Sequence, residues 1–147
     1  MLRGSKILEF KSYFDQLYEP IGKESALTDG ATIATDASLG TVFTVTLGGN
    51  RTIDTPTNPR DGKRILYRLK QDGTGSRTVT WGAGFRFGST YPEPTLSTTA
   101  GYTDYIEFVY NDTDDRWDCL DYALGFAGLS GGGSGSPMGL LLLLTYP

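Results

Sequence analysis

Residues 47–81 read LGGNRTIDTPTNPRDGKRILYRLKQDGTGSRTVTW, and the fold class follows from them. In the run 63–70, Ile65, Tyr67 and Leu69 alternate with Arg64, Arg68 and Lys70. Period-two alternation of this kind marks a strand with one buried and one wet face. A second run, 77–81, places Val79 and Trp81 on one face. Between the two lies Gln71-Asp72-Gly73-Thr74-Gly75-Ser76, which supplies the Gly and Asp that a hairpin turn uses for positive φ. The segment therefore predicts strand, tight turn, strand.

The same grammar extends in both directions. Short strands are expected over 31–35, 41–47, 51–54, 84–88, 102–110 and 116–122, with turns at Gly48-Gly49-Asn50 and 111–115. Short strands at regular spacing with turn signals between them predict an antiparallel β-sandwich or a jelly-roll-like barrel. Its expected core holds Phe43, Val45, Ile65, Tyr67, Leu69, Val79, Ile106 and Phe108. The stretch 91–101, with Pro92 and Pro94, is the longest expected loop.

Composition agrees and excludes much chemistry. The 147 residues suffice for one domain, and 20 glycines with 9 tyrosines and 7 phenylalanines favour strands and turns over helices. There is no histidine and a single cysteine, Cys119. An intrachain disulfide and any His-dependent triad are thereby excluded from this chain. Cys119 reads as a small buried apolar residue. The net charge of −4 argues against non-specific binding to nucleic acid. The cluster Arg60, Lys63, Arg64, Arg68 and Lys70 reads as a solvated strand face, with an acidic protein neighbour as the sharper alternative.

The two ends differ from the middle. In residues 5–18, Ile7, Phe10, Phe14 and Leu17 recur at helical spacing, Ser5 is an N-cap candidate and Pro20 stops the run. This predicts an amphipathic helix that must dock on something. Residues 130–136 read SGGGSGS, a flexible leash by composition. Beyond it, Leu140, Leu141, Leu142, Leu143, Leu144 and Tyr146 form an apolar peptide. It is too short to span a bilayer, which needs about 20 apolar residues. No signal peptide is apparent, so synthesis in the cytoplasm of the producing cell is expected. The expected organisation is a helical arm and connector at 1–29, a β domain at 30–126, and a leash with an extended docking tail at 127–147.

No motif for catalysis, a cofactor or a metal stands out. The acidic turn Asn111-Asp112-Thr113-Asp114-Asp115 offers oxygen ligands, but its spacing is not that of an EF-hand, and it reads as an exposed hairpin turn. Gly73-Thr74-Gly75-Ser76 lacks the ending and the following helix of a phosphate loop. Asp72, Asp104, Glu107 and Asp118 lie in or beside strands, and nothing in the sequence pairs two of them for sugar cleavage. Tyr91, Tyr102, Tyr105 and Trp81 would suit a sugar-stacking platform, whereas Trp81 and Trp117 also read as core.

Several short blocks carry a resemblance. They are Asp29-Gly30-Ala31-Thr32-Ile33-Ala34-Thr35-Asp36, Leu47-Gly48-Gly49-Asn50-Arg51-Thr52-Ile53, Pro56-Thr57-Asn58-Pro59 with Asp61-Gly62, Gln71-Asp72-Gly73-Thr74-Gly75-Ser76-Arg77, Val79-Thr80-Trp81, Asp104-Tyr105-Ile106 and Trp117-Asp118. Together they resemble the small β module of tailed-bacteriophage virion proteins, found on tail fibres, head fibres and capsid decorations. The resemblance implies a structural virion protein, assembled in the host cytoplasm, with no catalytic residue to carry over. A short domain with two sticky ends suits capsid decoration first, with the major capsid protein as partner. A tail, neck or fibre accessory protein, or a module binding a surface glycan, is the alternative. A homo-oligomer, a trimer in the simplest case, would bury Ile7, Phe10, Phe14, Leu17 and the leucine-rich peptide. No nucleic acid, membrane, metal or cofactor is expected as a partner.

Overall fold

The computed structural model of the chain describes residues 22–129. The expected helix at 5–18 and the apolar peptide at 138–146 lie outside the described residues. Nine strands follow in order: β1 (Glu24–Ala26), β2 (Thr32–Ile33), β3 (Val42–Leu47), β4 (Arg51–Ile53), β5 (Arg64–Gln71), β6 (Val79–Trp81), β7 (Phe85–Arg86), β8 (Thr103–Asn111) and β9 (Arg116–Phe126). There is no helix among the described residues. The described residues are all-β, as expected of them, and the connector before residue 30 contributes a strand of its own.

From β1 to β7 the strands alternate between two sheets. One sheet has the order β1-β3-β5-β8-β9-β7 and the other β2-β4-β6. Within the first six strands every pairing is parallel. Val42 lies between Glu24 and Leu66, and Thr52 between Thr32 and Thr80. A lone parallel bridge between Asp36 and Thr57 marks a third side between the first two turns. The chain thus winds like a short solenoid, each turn stacking on the one before. Parallel neighbours usually require a helical crossover. Here the crossover is a strand of the opposite sheet.

This corrects the expected antiparallel pairing. The run containing Ile65 and the run containing Trp81 are not a hairpin, because β5 and β6 belong to different sheets. Period-two alternation reveals a strand and its buried face. It carries no information on the direction of the partner. The Gly/Asp joint is a corner instead. Asp72 Oδ1 accepts from Thr74 N–H at 3.0 Å and Gly75 N–H at 2.9 Å. The buried Gln71 side chain accepts from Arg77 N–H at 2.7 Å and donates to Arg77 O at 2.9 Å, replacing a strand partner where the ladder ends. Gly75 has φ of 75°, and a Cβ there would lie 2.5 Å from Thr98 O, so glycine is required for two reasons.

The core lies between the sheets. Ile33 and Ile53 are fully buried in register with Trp81, facing Phe43, Tyr67 and Ile106 of the larger sheet. Tyr67, Trp81, Phe85, Phe87 and Phe108 form an aromatic cluster, with Phe85 and Phe108 centroids 4.7 Å apart and Tyr67 and Trp81 5.7 Å apart. Tyr67 is wholly buried, so its hydroxyl needs a partner, and it donates to Thr35 Oγ1 at 2.8 Å. Seven of the eight expected core residues are buried, and Val79 is half-buried against them. Trp117 is buried, while Trp81 and Cys119 are half-buried.

The antiparallel pair β8–β9 closes the winding against β5. The connection 87–102 carries no strand and is fastened by Asp104. This carboxylate has no exposed surface and accepts from Ser97 N–H and Gly125 N–H, each at 2.8 Å. Burying an anion is costly unless its oxygens are satisfied. Two backbone donors from opposite sides make the residue a staple between the long loop and the end of β9.

Candidate interaction surface

The acids singled out in the sequence are all engaged structurally. Arg77 holds Asp72 at 2.8 Å and, with the Gly75 amide, lowers its pKa to about 2. Arg86 bridges Asp118 at 2.6 Å and Asp114 at 2.8 Å, and the Arg86 bond pulls the Asp118 pKa below the ordinary carboxylate value. Glu107 faces Arg64 at 3.5 Å, and Asp104 is the buried staple. No two of these carboxylates converge on an open space. The acidic turn is likewise self-satisfied. Asn111 Oδ1 accepts from Thr113 and Asp114 N–H, and Asp115 accepts from the Tyr110 hydroxyl at 2.8 Å. That last bond, with burial, pushes the Tyr110 pKa up to about 12. Among the described residues no group of acids and cysteine is arranged to hold a metal.

The four aromatics of the sugar-platform reading are not brought together. Trp81 packs within the aromatic cluster between the sheets. Tyr91 sits edge-on to Tyr122 at 5.6 Å. Tyr105 lies on the outer face of the larger sheet, between Arg68, 5.7 Å above its ring, and Phe126. Tyr102 makes its backbone bonds to Gln71 and Thr99 at the corner. Of the basic cluster, Arg64, Arg68 and Lys70 share the outer face of β5. Arg68 pairs with Glu24 and Arg64 with Glu107, and Lys63 is buried.

Among the described residues, four large apolar side chains are exposed, in two places. At the first turn of the winding, a groove of about 360 Å³ is lined by Leu27, Thr35, Leu39 and Phe43 among others, and Leu39 is exposed. At the far end, Leu124 is 38% exposed, Phe126 52%, and Leu129 fully. β9 continues to Phe126, four residues beyond the end at Tyr122 expected from the sequence. The sequence signal was the apolar alternation Tyr122, Leu124, Phe126, interrupted only by Ala123 and Gly125. Ile7, Phe10, Phe14, Leu17, Leu140, Leu141, Leu142, Leu143, Leu144 and Tyr146 all lie outside the described residues. The groove and the β9 end are the described surfaces nearest to them in sequence.

A protein-family model described as "Putative phage tail fibre C-terminal domain" matches residues 27–115, more than half of the chain. The chain belongs to this family. The matched span runs from the first turn of the winding into the acidic turn before β9, so it covers the wound core. The protein is a structural component of a bacteriophage virion, in keeping with the resemblance carried by the Asp29–Asp36 and Gln71–Arg77 blocks. No curated protein matches the chain significantly. No helix among the described residues is long and apolar enough to cross a membrane.

Proposed function

We propose that the chain is a non-catalytic building module of the phage tail, in or beside a tail fibre, assembled in the host cytoplasm and working as a homo-oligomer, a trimer in the simplest case. The family match carries this reading. It favours the fibre alternative over capsid decoration, which rested on the sticky ends alone. The engagement of each candidate carboxylate by arginine or backbone supports a structural over a catalytic role. Omission from assembling phage tests the proposal. Particles lacking the chain should show intact, filled heads and defective tail fibres by electron microscopy. Intact fibres with leaking or unstable heads would return the role to capsid decoration.

A further inference from the structure

The strands left on the edges of the winding, β1, β2 and β6, are two or three residues long, but among the described residues the end of β9 is a longer open edge. β7 pairs with β9 only at Trp117 and Asp118, so residues 119–126 have a strand neighbour on one side alone, β8. The Tyr122 N–H turns onto the Asp121 side chain at 2.7 Å, as an amide without a strand opposite it would. Natural edges are usually guarded by charge, proline or extreme shortness. Beyond Asp121 this one has none of these. Residues 122–129 read YALGFAGL, with no charged side chain and no proline, and Leu124, Phe126 and Leu129 are exposed along them.

We infer that this edge receives residues 138–146 of a second copy of the chain as an added strand. Three features select that occupant. The peptide MGLLLLLTY is uncharged, as the edge beyond Asp121 is, and it follows the edge directly in sequence through residues 127–137. That connection is longer than the roughly two to five residues a hairpin return needs. At ~3.3–3.6 Å per residue it reaches over 30 Å, enough to leave its own sheet. Its five consecutive leucines lack alternation, and a strand of that kind is covered on both faces. The end of β9 has an exposed face of its own and gains such cover when two copies meet. Backbone bonds along the edge would give affinity, and Leu124 and Phe126 would take alternate leucines.

The inference rests on the homo-oligomer in the proposed function and is tested on the purified full chain. Light scattering gives the mass of the parent, of the tail variant Leu141→Asp/Leu143→Asp, and of the edge variant Leu124→Lys/Phe126→Lys. Hydrogen exchange follows the amides of 119–126 in each. The expected result is an oligomeric parent with a protected edge. Both variants should lose that protection by at least tenfold and shift towards monomer, with β3 and β5 still protected. An oligomer that survives both variants overturns strand exchange and leaves the fibre reading standing. A monomeric parent whose edge protection still depends on Leu141 and Leu143 also overturns it, because the peptide then docks within its own chain.

Discussion

The wound turns and the end of β9 are made from the same strand chemistry and finish in opposite conditions. β3 and β5 are each paired on both sides, and their inward residues Phe43, Leu47, Tyr67 and Leu69 are at most 1% exposed. β9 starts in the same way, with Trp117 buried between β7 and β8, and then runs out beyond β7, paired with β8 alone, into exposed leucine and phenylalanine. On the proposed reading, stability and association are assigned to different stretches. Stacked turns supply a closed core, and the last strand leaves a surface that the core does not need.

The comparison breaks first at the core. Phe108→Ala should destabilise the fold by ~3–5 kcal/mol, the cost of a cavity among Tyr67, Trp81, Phe85 and Phe87. Urea denaturation followed by tryptophan fluorescence measures it. A loss under ~1 kcal/mol would mean that the two sheets do not share one core. The corner between β5 and β6 comes next. Gly75→Ala forces a Cβ onto Thr98 O and Ala100 N at a positive φ, and should cost roughly 1–3 kcal/mol in the same assay.

Acid should weaken the wound region selectively. Asp29, Asp72 and Asp118 all have pKa values lowered, chiefly by bonds from Arg51, Arg77 and Arg86. A carboxylate whose folded pKa is depressed contributes stability above its unfolded pKa and loses it as pH falls through the folded value. Stability should therefore decline from about pH 4 towards about pH 2, where Asp72 titrates. Asp72→Asn should flatten that decline, and an unchanged slope would show that the Arg77 bond is not maintained in solution. The smallest effect belongs to the open end. In the chain whose tail is disabled by Leu141→Asp/Leu143→Asp, Leu124→Ser should change the unfolding free energy by no more than ~0.5 kcal/mol, since surface positions away from packed features rarely do more. A larger loss would place the β9 end inside the cooperative core and erase the contrast.

Much of the core was legible in the sequence, because alternation exposes the buried face of a strand whatever it pairs with. Phe43-Val45-Leu47 and Ile65-Tyr67-Leu69 announce their inward sides residue by residue. The parallel winding was not legible. A Gly/Asp joint such as 71–76 reads the same whether it reverses a strand within one sheet or carries it around to another. The first strand, Glu24–Ala26, is too short and too polar to show a pattern and exists only through its pairing with β3. The engagement of the acids was hidden as well. Arg86 meets Asp118 and Asp114 across long sequence separations that no local motif records. The open edge was half visible: Leu124 and Phe126 could be read, and the absence of a neighbour for them could not.

The central claim is that this module serves the tail of a phage particle, and locating it there tests that claim most directly. An antibody raised against residues 22–129 and visualised by gold labelling on intact particles reports the position. The account predicts label on the tail fibres, in numbers consistent with a small oligomer on each. Label distributed over the capsid surface, with bare tails, would contradict it.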